Sequence, residues 1–325
     1  MPFISSTNDL DNVTQTMVAE FPVPVARLWD AYADPRQLEK FWGPPQWPAT
    51  FTRHDMHVGG ESHYAMHGPN PEDVSRGYWE YLAVEPGRSF RVRDGFANPD
   101  GSRNTDMPTM EMEFRFEEIP GGSRLTVTTW FNSREELEHL LSMGMEEGGI
   151  AAMSQMDAVL AELTDYSATF ATEAQLLDDT TVRVSRILRA PAETVWRAHQ
   201  EAELMQQWLL GPEGWTMPRC EIAQRVGDSY VYEWAETEGE GRFGFTGELL
   251  ESAAPYRAVT TERMLGTDGP STLNELTLIP LEHGTLLTLL IRYPSREVRD
   301  MILGTGMTDG MESSYARLEQ VAASA

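Results

Sequence analysis

Four histidines in the first half of the chain are the side chains best suited to hold a metal ion. His54, His57, His63 and His67 lie close together in the sequence, and imidazole is a common ligand of transition metals. Side chains alternate between the two faces of an extended segment, which places His63 and His67 together on the outer face and turns only His54 inward. Ligands on opposite faces cannot converge on one ion. We therefore predict no metal site, and we expect His54 to be either a hydrogen-bonded core histidine or a contact to a ligand.

Glu80 and Cys220 are two further side chains with reactive potential. Glu80 lies among aromatic residues, between Trp79 and Tyr81, and burial there would raise the pKa of its carboxyl group. Which face of the strand carries Glu80 stays open. The two halves of the chain repeat each other, and this strand can be aligned with its counterpart in two ways that differ by one residue. A shift of one residue moves a side chain to the opposite face. Cys220, the single cysteine, has no nucleophile motif around it and is interpreted as a small buried side chain. No glycine-rich phosphate loop follows a predicted strand, so we expect neither a catalytic residue nor a cofactor.

The elements that must position these side chains occur twice along the chain. Matching segments recur at a nearly constant offset: Pro24–Trp29 and Pro191–Trp196, Trp47 and Trp215, and Ser133–Glu135 and Ser295–Glu297. Such an offset, kept through a chain of 325 residues, indicates a duplicated domain rather than a short solenoid repeat. We predict a first domain at 1–163, a linker at 164–179 and a second domain at 180–325.

Each copy opens with an alternating segment, at 13–21 and 181–188, which is typical of a strand. Pro24 and Pro191 then stand where the first turn of a helix tolerates proline, and a second short helix follows each. Turn signals separate the period-two segments that come next. This pattern indicates an antiparallel meander.

The last element of each copy is predicted to be a long helix that covers the sheet. Ser133 and Ser295 are suitable N-caps, and apolar residues continue from there to the end of each copy. Glycines such as Gly144 predict a kink or a break. The strand at 110–117 places apolar side chains on one face and charged side chains on the other, so one face of the sheet needs this cover.

The composition limits the classes of partner. A net charge of −26 argues against nucleic acid or an anionic membrane surface, because both would be repelled. The sequence has no run of about 18 apolar residues and no N-terminal targeting segment, which predicts a cytoplasmic protein. A single cysteine gives no sign of an oxidising compartment.

The order of these elements, together with three short motifs, resembles a known superfamily. The motifs are Phe41-Trp42-Gly43-Pro44, Val58-Gly59-Gly60 and Gly144-Met145-Glu146-Glu147-Gly148. They look like the SRPBCC (START-like) superfamily, and within it like the bacterial proteins named for homology to the activator of heat-shock protein 90 ATPase (AHSA type), in two tandem copies. The resemblance implies an α+β helix-grip (Bet v-like) fold. In it a curved antiparallel sheet wraps a long C-terminal helix, two short helices follow the first strand, and a cavity lies between sheet and helix.

This resemblance favours largely non-catalytic binding of a small hydrophobic molecule in the cavity of each domain. Superfamily members have unrelated functions, so two alternatives stay open: co-chaperone-like stimulation of a heat-shock protein 90 ATPase, and a polyketide cyclase-like or hydrolytic enzyme. The predicted ligand contacts in the first domain are Trp42, His54, Tyr64, Trp79, Met110, Met112, Phe114, Met145 and Met153. Those in the second domain are Trp208, Tyr232, Trp234, Thr272, Asn274, Leu276, Tyr293, Met307 and Met311.

The two predicted cavities differ at matched positions. When Ser133–Glu135 is aligned with Ser295–Glu297, Thr272 and Asn274 replace Met110 and Met112. A buried amide needs a hydrogen-bond partner, so we expect the second cavity to be the more polar and the more selective one. One alternative is that Asn274 and Thr272 hydrogen-bond within the fold. The other is that the amide is unpaired in the empty protein, in which case Asn274→Leu would stabilise that protein or leave its stability unchanged, and would weaken the binding of a polar ligand.

Overall fold

The chain forms two compact units, Met1–Leu163 and Thr164–Ala325, in a computed structural model that describes residues 3–161, 170–210 and 213–324. Each unit contains an antiparallel sheet, with eight strands among the described residues, followed by helices. The predicted α+β architecture of two tandem helix-grip domains is confirmed.

The first domain places two short helices after its second strand and two further helices after its last strand. Its strands are β1 (Phe3–Asp9), β2 (Thr14–Phe21), β3 (Ala49–His54), β4 (Glu61–His67), β5 (Val74–Glu85), β6 (Ser89–Phe96), β7 (Met110–Ile119) and β8 (Gly122–Trp130). Its helices are α1 (Val25–Ala33), α2 (Pro35–Leu38), α3 (Arg134–Ser142) and α4 (Met145–Ala161). The strands lie in the order β1-β2-β8-β7-β6-β5-β4-β3.

The second domain repeats this plan. Its strands are β9 (Glu173–Leu176), β10 (Thr181–Leu188), β11 (Trp215–Glu221), β12 (Ser229–Glu236), β13 (Arg242–Ala253), β14 (Arg257–Met264), β15 (Thr272–Leu281) and β16 (Gly284–Arg292). Its helices are α5 (Ala192–Gln200), α6 (Ala202–Trp208), α7 (Arg296–Leu303) and α8 (Met307–Ser324). The strand order β11-β12-β13-β14-β15-β16-β10-β9 is that of the first sheet, named from the opposite edge.

Both sheets carry an edge strand that the sequence did not predict. β1 pairs with β2, and β9 pairs with β10. β9 lies inside residues 164–179, which the sequence predicts to be a linker. Both strands are short, polar and largely exposed, so backbone hydrogen bonds to the neighbouring strand hold them and no apolar alternation marks them in the sequence.

The covering helix of each domain begins where predicted but consists of two helices. The Ser133 hydroxyl accepts a hydrogen bond from the Glu136 amide at 3.1 Å, and Ser295 caps α7 in the same way. The break predicted at the glycines is confirmed, because Gly144 and Gly306 have φ angles of +87° and +81°. This left-handed backbone favours glycine and separates α3 from α4 and α7 from α8.

The core of each domain lies between the sheet and its helices. In the first domain it is strongly aromatic: Trp29 of α1 packs edge-on against Phe116 of β7, with ring centroids 5.3 Å apart. In the second domain, aliphatic side chains of β10 and β16 contribute more of the core. Within the described residues, no helix is both long and apolar enough to cross a membrane.

Candidate functional site

A cavity of about 250 Å³ lies in the first domain, between the sheet and helix α4. Strands β2, β4, β6, β7 and β8 form one wall, and α1, α4 and the segment after α2 form the rest. Six methionines line it: Met17, Met66, Met110, Met112, Met145 and Met153. Flexible thioethers adapt to ligands of varied shape, so the wall is suited to a small apolar molecule.

Helix α4 presents small residues to this cavity. Met145, Gly148, Gly149, Ala152 and Met153 line it, and their spacing places them on one face of the helix. A Cβ atom at Gly149 would lie 2.9 Å from Met17 Sδ, so glycine allows the helix to approach β2 closely. A Cβ atom at Gly148 would meet no atom within 4 Å. The cavity therefore has free space beside Gly148.

Trp42 lies at the end of the cavity formed by the segment after α2. Phe41, Trp42, Gly43 and Pro44 all line it. The Trp42 ring packs edge-on against Trp79, with centroids 4.6 Å apart. These rings fix the position of the wall next to strands β5 and β6.

Asp94 of β6 is the acidic group of the lining. Tyr64 donates a hydrogen bond to Asp94 Oδ1 at 3.0 Å. Burial raises the pKa of the Asp94 carboxyl group to about 7, although the hydrogen bond from Tyr64 and the nearby Trp79 indole favour the charged form. The side chain is surrounded by protein but keeps partial accessibility, because it lines the cavity. A carboxyl group in this setting can accept a hydrogen bond or a proton from a bound molecule.

Glu262 occupies the matching position in the second domain. Asp94 stands opposite Met110 in the β6–β7 ladder, and Glu262 stands opposite Thr272 in the β14–β15 ladder. Burial also raises the pKa of Glu262, while hydrogen bonds from Tyr230 and Asn274 oppose the rise. Neither acid is among the residues predicted from the sequence to contact a ligand. The offset that aligns Trp47 with Trp215 would have paired them.

Six of the predicted ligand contacts in the first domain line the cavity: Trp42, Met110, Met112, Phe114, Met145 and Met153. Tyr64 and Trp79 stand behind this lining, where Tyr64 binds Asp94 and Trp79 supports Trp42. Lining residues that the prediction missed include Gln15, Thr129 and Asp94. Gln15 lies on the predicted opening strand, and Asp94 and Thr129 lie on strands of the predicted meander. No polar residue of these strands was predicted to line the cavity.

His54 is buried but does not line the cavity. Its Nδ1 atom lies 2.9 Å from Ser62 Oγ, and its Nε2 atom lies 3.1 Å from the Tyr32 carbonyl oxygen. The structure therefore supports the reading of His54 as a hydrogen-bonded core histidine. His63 contacts Glu61 on the outer face and His67 is exposed, as the alternation predicted.

Glu80 faces away from the cavity, which settles the direction that the sequence left open. Its carboxylate forms ion pairs with Arg93 at 3.0 Å and with Arg103 at 3.1 Å. Cys220 is partly buried and contacts Met205, and burial raises the pKa of its thiol to about 11. A thiol in this state is a weak nucleophile at neutral pH.

The predicted contacts of the second domain belong to its apolar core or to a polar group beside that core. Trp208, Trp234 and Tyr293 are core residues, and Tyr232, Leu276, Met307 and Met311 pack against them. Thr272 donates a hydrogen bond to Asn274 Oδ1 at 2.9 Å. The two side chains therefore hydrogen-bond within the fold, which was one of the two predicted alternatives, and the other alternative, an unpaired amide, is wrong.

The comparisons with known proteins agree with this architecture. The family model described as Activator of Hsp90 ATPase homolog 1-like protein matches residues 22–161 and 189–323. Among solved structures, protein Ms6760 from Mycobacterium smegmatis is 46% identical, with a TM-score of 0.46, over 49% of this chain and 97% of that chain. A protein from Arthrobacter aurescens is 38% identical, with a TM-score of 0.47, over 49% of this chain and 92% of that chain. A search of curated proteins gives no match. Since the family model matches most of the chain, once in each half, the chain belongs to the Activator of Hsp90 ATPase homolog 1-like protein family as two tandem copies.

Proposed function

We propose that the first domain binds a small, largely apolar molecule in the cavity between its sheet and helix α4. The observation that carries this proposal is the lining itself: six methionines and several aromatic rings surround about 250 Å³. At about 30 Å³ for each water molecule, this space would hold roughly eight waters. A ligand small enough to fit this space would gain its affinity mainly from the burial of its apolar surface.

The simplest probe of this proposal is 1-hexanol, which has an apolar chain and no charge. Burial of six carbon groups at about 0.8 kcal/mol each contributes roughly 5 kcal/mol, which corresponds to a Kd on the order of 0.1–1 mM. Isothermal titration calorimetry with the full chain measures this Kd. Native mass spectrometry of protein purified from its source tests separately for a retained molecule.

Gly148→Leu is the variant that tests the location. The side chain would enter the free space beside Gly148 and take volume from the cavity, so we expect the Kd of 1-hexanol to rise at least tenfold. Gly310→Leu is the matched control, because Gly310 is the corresponding glycine of α8 and also has open space around it. Both changes raise helix propensity by about the same amount. Equal effects of the two variants, or no binding by the wild type, would contradict the proposal.

A further inference from the structure

A buried carboxyl group stands at the same position in both domains. Asp94 and Glu262 lie on equivalent strands, and each contacts a tyrosine hydroxyl from the strand beyond its neighbour: Tyr64 for Asp94 and Tyr230 for Glu262. The tyrosines themselves do not occupy matched positions, because Tyr64 corresponds to Tyr232. The acid at this position is thus common to the two copies, although the surrounding hydrogen bonds are built differently.

The strands beside the two carboxyl groups differ in their hydrogen-bond donors. In the second domain, the polar residues Thr272 and Asn274 lie on the strand beside Glu262, and the Asn274 amide favours the charged form of the Glu262 carboxyl group. In the first domain the position that matches Asn274 is Met112, and the position that matches Thr272 is Met110. A thioether has no proton to donate. The neighbouring strand β7 therefore offers Asp94 no donor side chain, and Tyr64 of β4 donates to it instead.

The charged side chain of the cavity lining is acidic. Among the described residues, no lysine, arginine or histidine lines the cavity, and Asp94 supplies the one carboxyl group. Within the described part of the chain, no ion pair to Asp94 is found. A carboxylate in an apolar cavity without a neighbouring cation is stabilised by a ligand that carries a positive charge. It repels a ligand that carries a negative charge.

We propose that the ligand of the first domain is a small apolar amine whose ammonium group binds Asp94, and that the cavity discriminates against carboxylates such as fatty acids. This inference rests on the proposed ligand-binding function and adds the polar end of the ligand to it. The ammonium group takes the place that the Asn274 amide takes beside Glu262. Its alkyl or aryl part contacts Met110, Met112 and Phe114.

The test compares three probes with the same six-carbon chain. Hexylamine, 1-hexanol and hexanoate are titrated by calorimetry into the full chain at pH 8. We expect hexylamine to bind at least tenfold more tightly than hexanoate. Asp94→Asn should remove this preference, so that the Kd values of hexylamine and hexanoate differ by less than about threefold. Glu262→Gln is the matched control, and it should leave all three affinities unchanged.

The pH dependence of the wild type tests the same inference without a substitution. The titratable groups that face the cavity or contact Asp94 are Tyr32 and Tyr64, and burial raises the pKa of both well above 10. Asp94, with a pKa of about 7, thus controls binding near neutrality. Hexylamine stays protonated below about pH 10. Its affinity should fall roughly tenfold between pH 8 and pH 6 as Asp94 takes up a proton, whereas that of 1-hexanol should change little.

The outcomes separate the two proposals. Binding of 1-hexanol without a preference for hexylamine over hexanoate would overturn the amine proposal and leave ligand binding standing. Retention of the amine preference by Asp94→Asn would also overturn it. If none of the three probes binds to the wild type, both proposals fail.

Discussion

Replacement of Asp94 by asparagine should stabilise the empty first domain, and increasingly so as the pH rises from about 4 to above 7. Burial raises the pKa of Asp94 from 3.8 to about 7. The folded protein therefore holds this proton more tightly than the unfolded chain does. Stability from this group is fully present below about pH 4, and it is lost as the pH rises through 7. An amide carries no charge at any of these pH values, and it can still accept the hydrogen bond from Tyr64.

The magnitude follows from the size of the shift. About three pKa units at 1.36 kcal/mol each correspond to roughly 4 kcal/mol for the fully ionised group. Water that enters the cavity solvates the charge and reduces this value, because the Asp94 side chain keeps partial accessibility. We expect Asp94→Asn to raise the free energy of unfolding by about 2–4 kcal/mol at pH 8.5 and by only about 1 kcal/mol at pH 4.5.

Differential scanning calorimetry of the full chain at pH 4.5, 6.5 and 8.5 measures this effect, with the two domains treated as separate transitions. Glu262→Gln assigns the transitions, because it alters a buried acid of the second domain alone. Glu80→Gln removes ion pairs at the outer surface and should change stability by less than about 1 kcal/mol. The reasoning would be refuted if Asp94→Asn were equally stabilising at pH 4.5 and 8.5, or destabilising at pH 8.5.

Two further predictions concern other parts of the fold. Asn274→Leu should destabilise the second domain by about 1–3 kcal/mol, because it removes the amide oxygen that accepts the hydrogen bond from Thr272; a stabilised variant in chemical denaturation would contradict this. Ser133→Ala should cost the first domain about 1 kcal/mol through loss of the cap of α3, and Ser295→Ala should cost the second domain a similar amount. Calorimetry should show each cap variant shifting only the transition of its own domain.

The fold could be predicted from the sequence because its signals are local and occur twice. Proline at the start of α1, the alternation along β7 and the serine cap of α3 each have a counterpart in the second half, and each pair supports the same assignment. β1 and β9 lack such signals. An edge strand with both faces partly exposed needs no apolar alternation, so backbone pairing alone places it.

The candidate site could be predicted only in its apolar part. Met110, Met112 and Phe114 follow from the alternation of one strand, and Trp42 follows from a motif. The side chains of His54 and Tyr64 point inward, as predicted. Whether an inward side chain lines the cavity or lies behind its wall depends on how the surrounding side chains pack. Ser62 and the Tyr32 carbonyl hold His54 in the wall, and no sequence period carries this information.

Asp94 is the residue whose role the sequence concealed most completely, and the duplication explains how it could have been found. It lies between Arg93 and Gly95 in a strand with several charged residues, where an acid normally faces solvent. Within one copy, alternation with Arg91 and Arg93 places Asp94 on the inner face with Phe90 and Val92. The second copy supports this assignment, because Glu262 keeps an acid in register while Met110 and Met112 change to Thr272 and Asn274. Tyr64 donates a hydrogen bond to Asp94 from the wall, and the proposed ammonium group would reach the same carboxylate from the cavity.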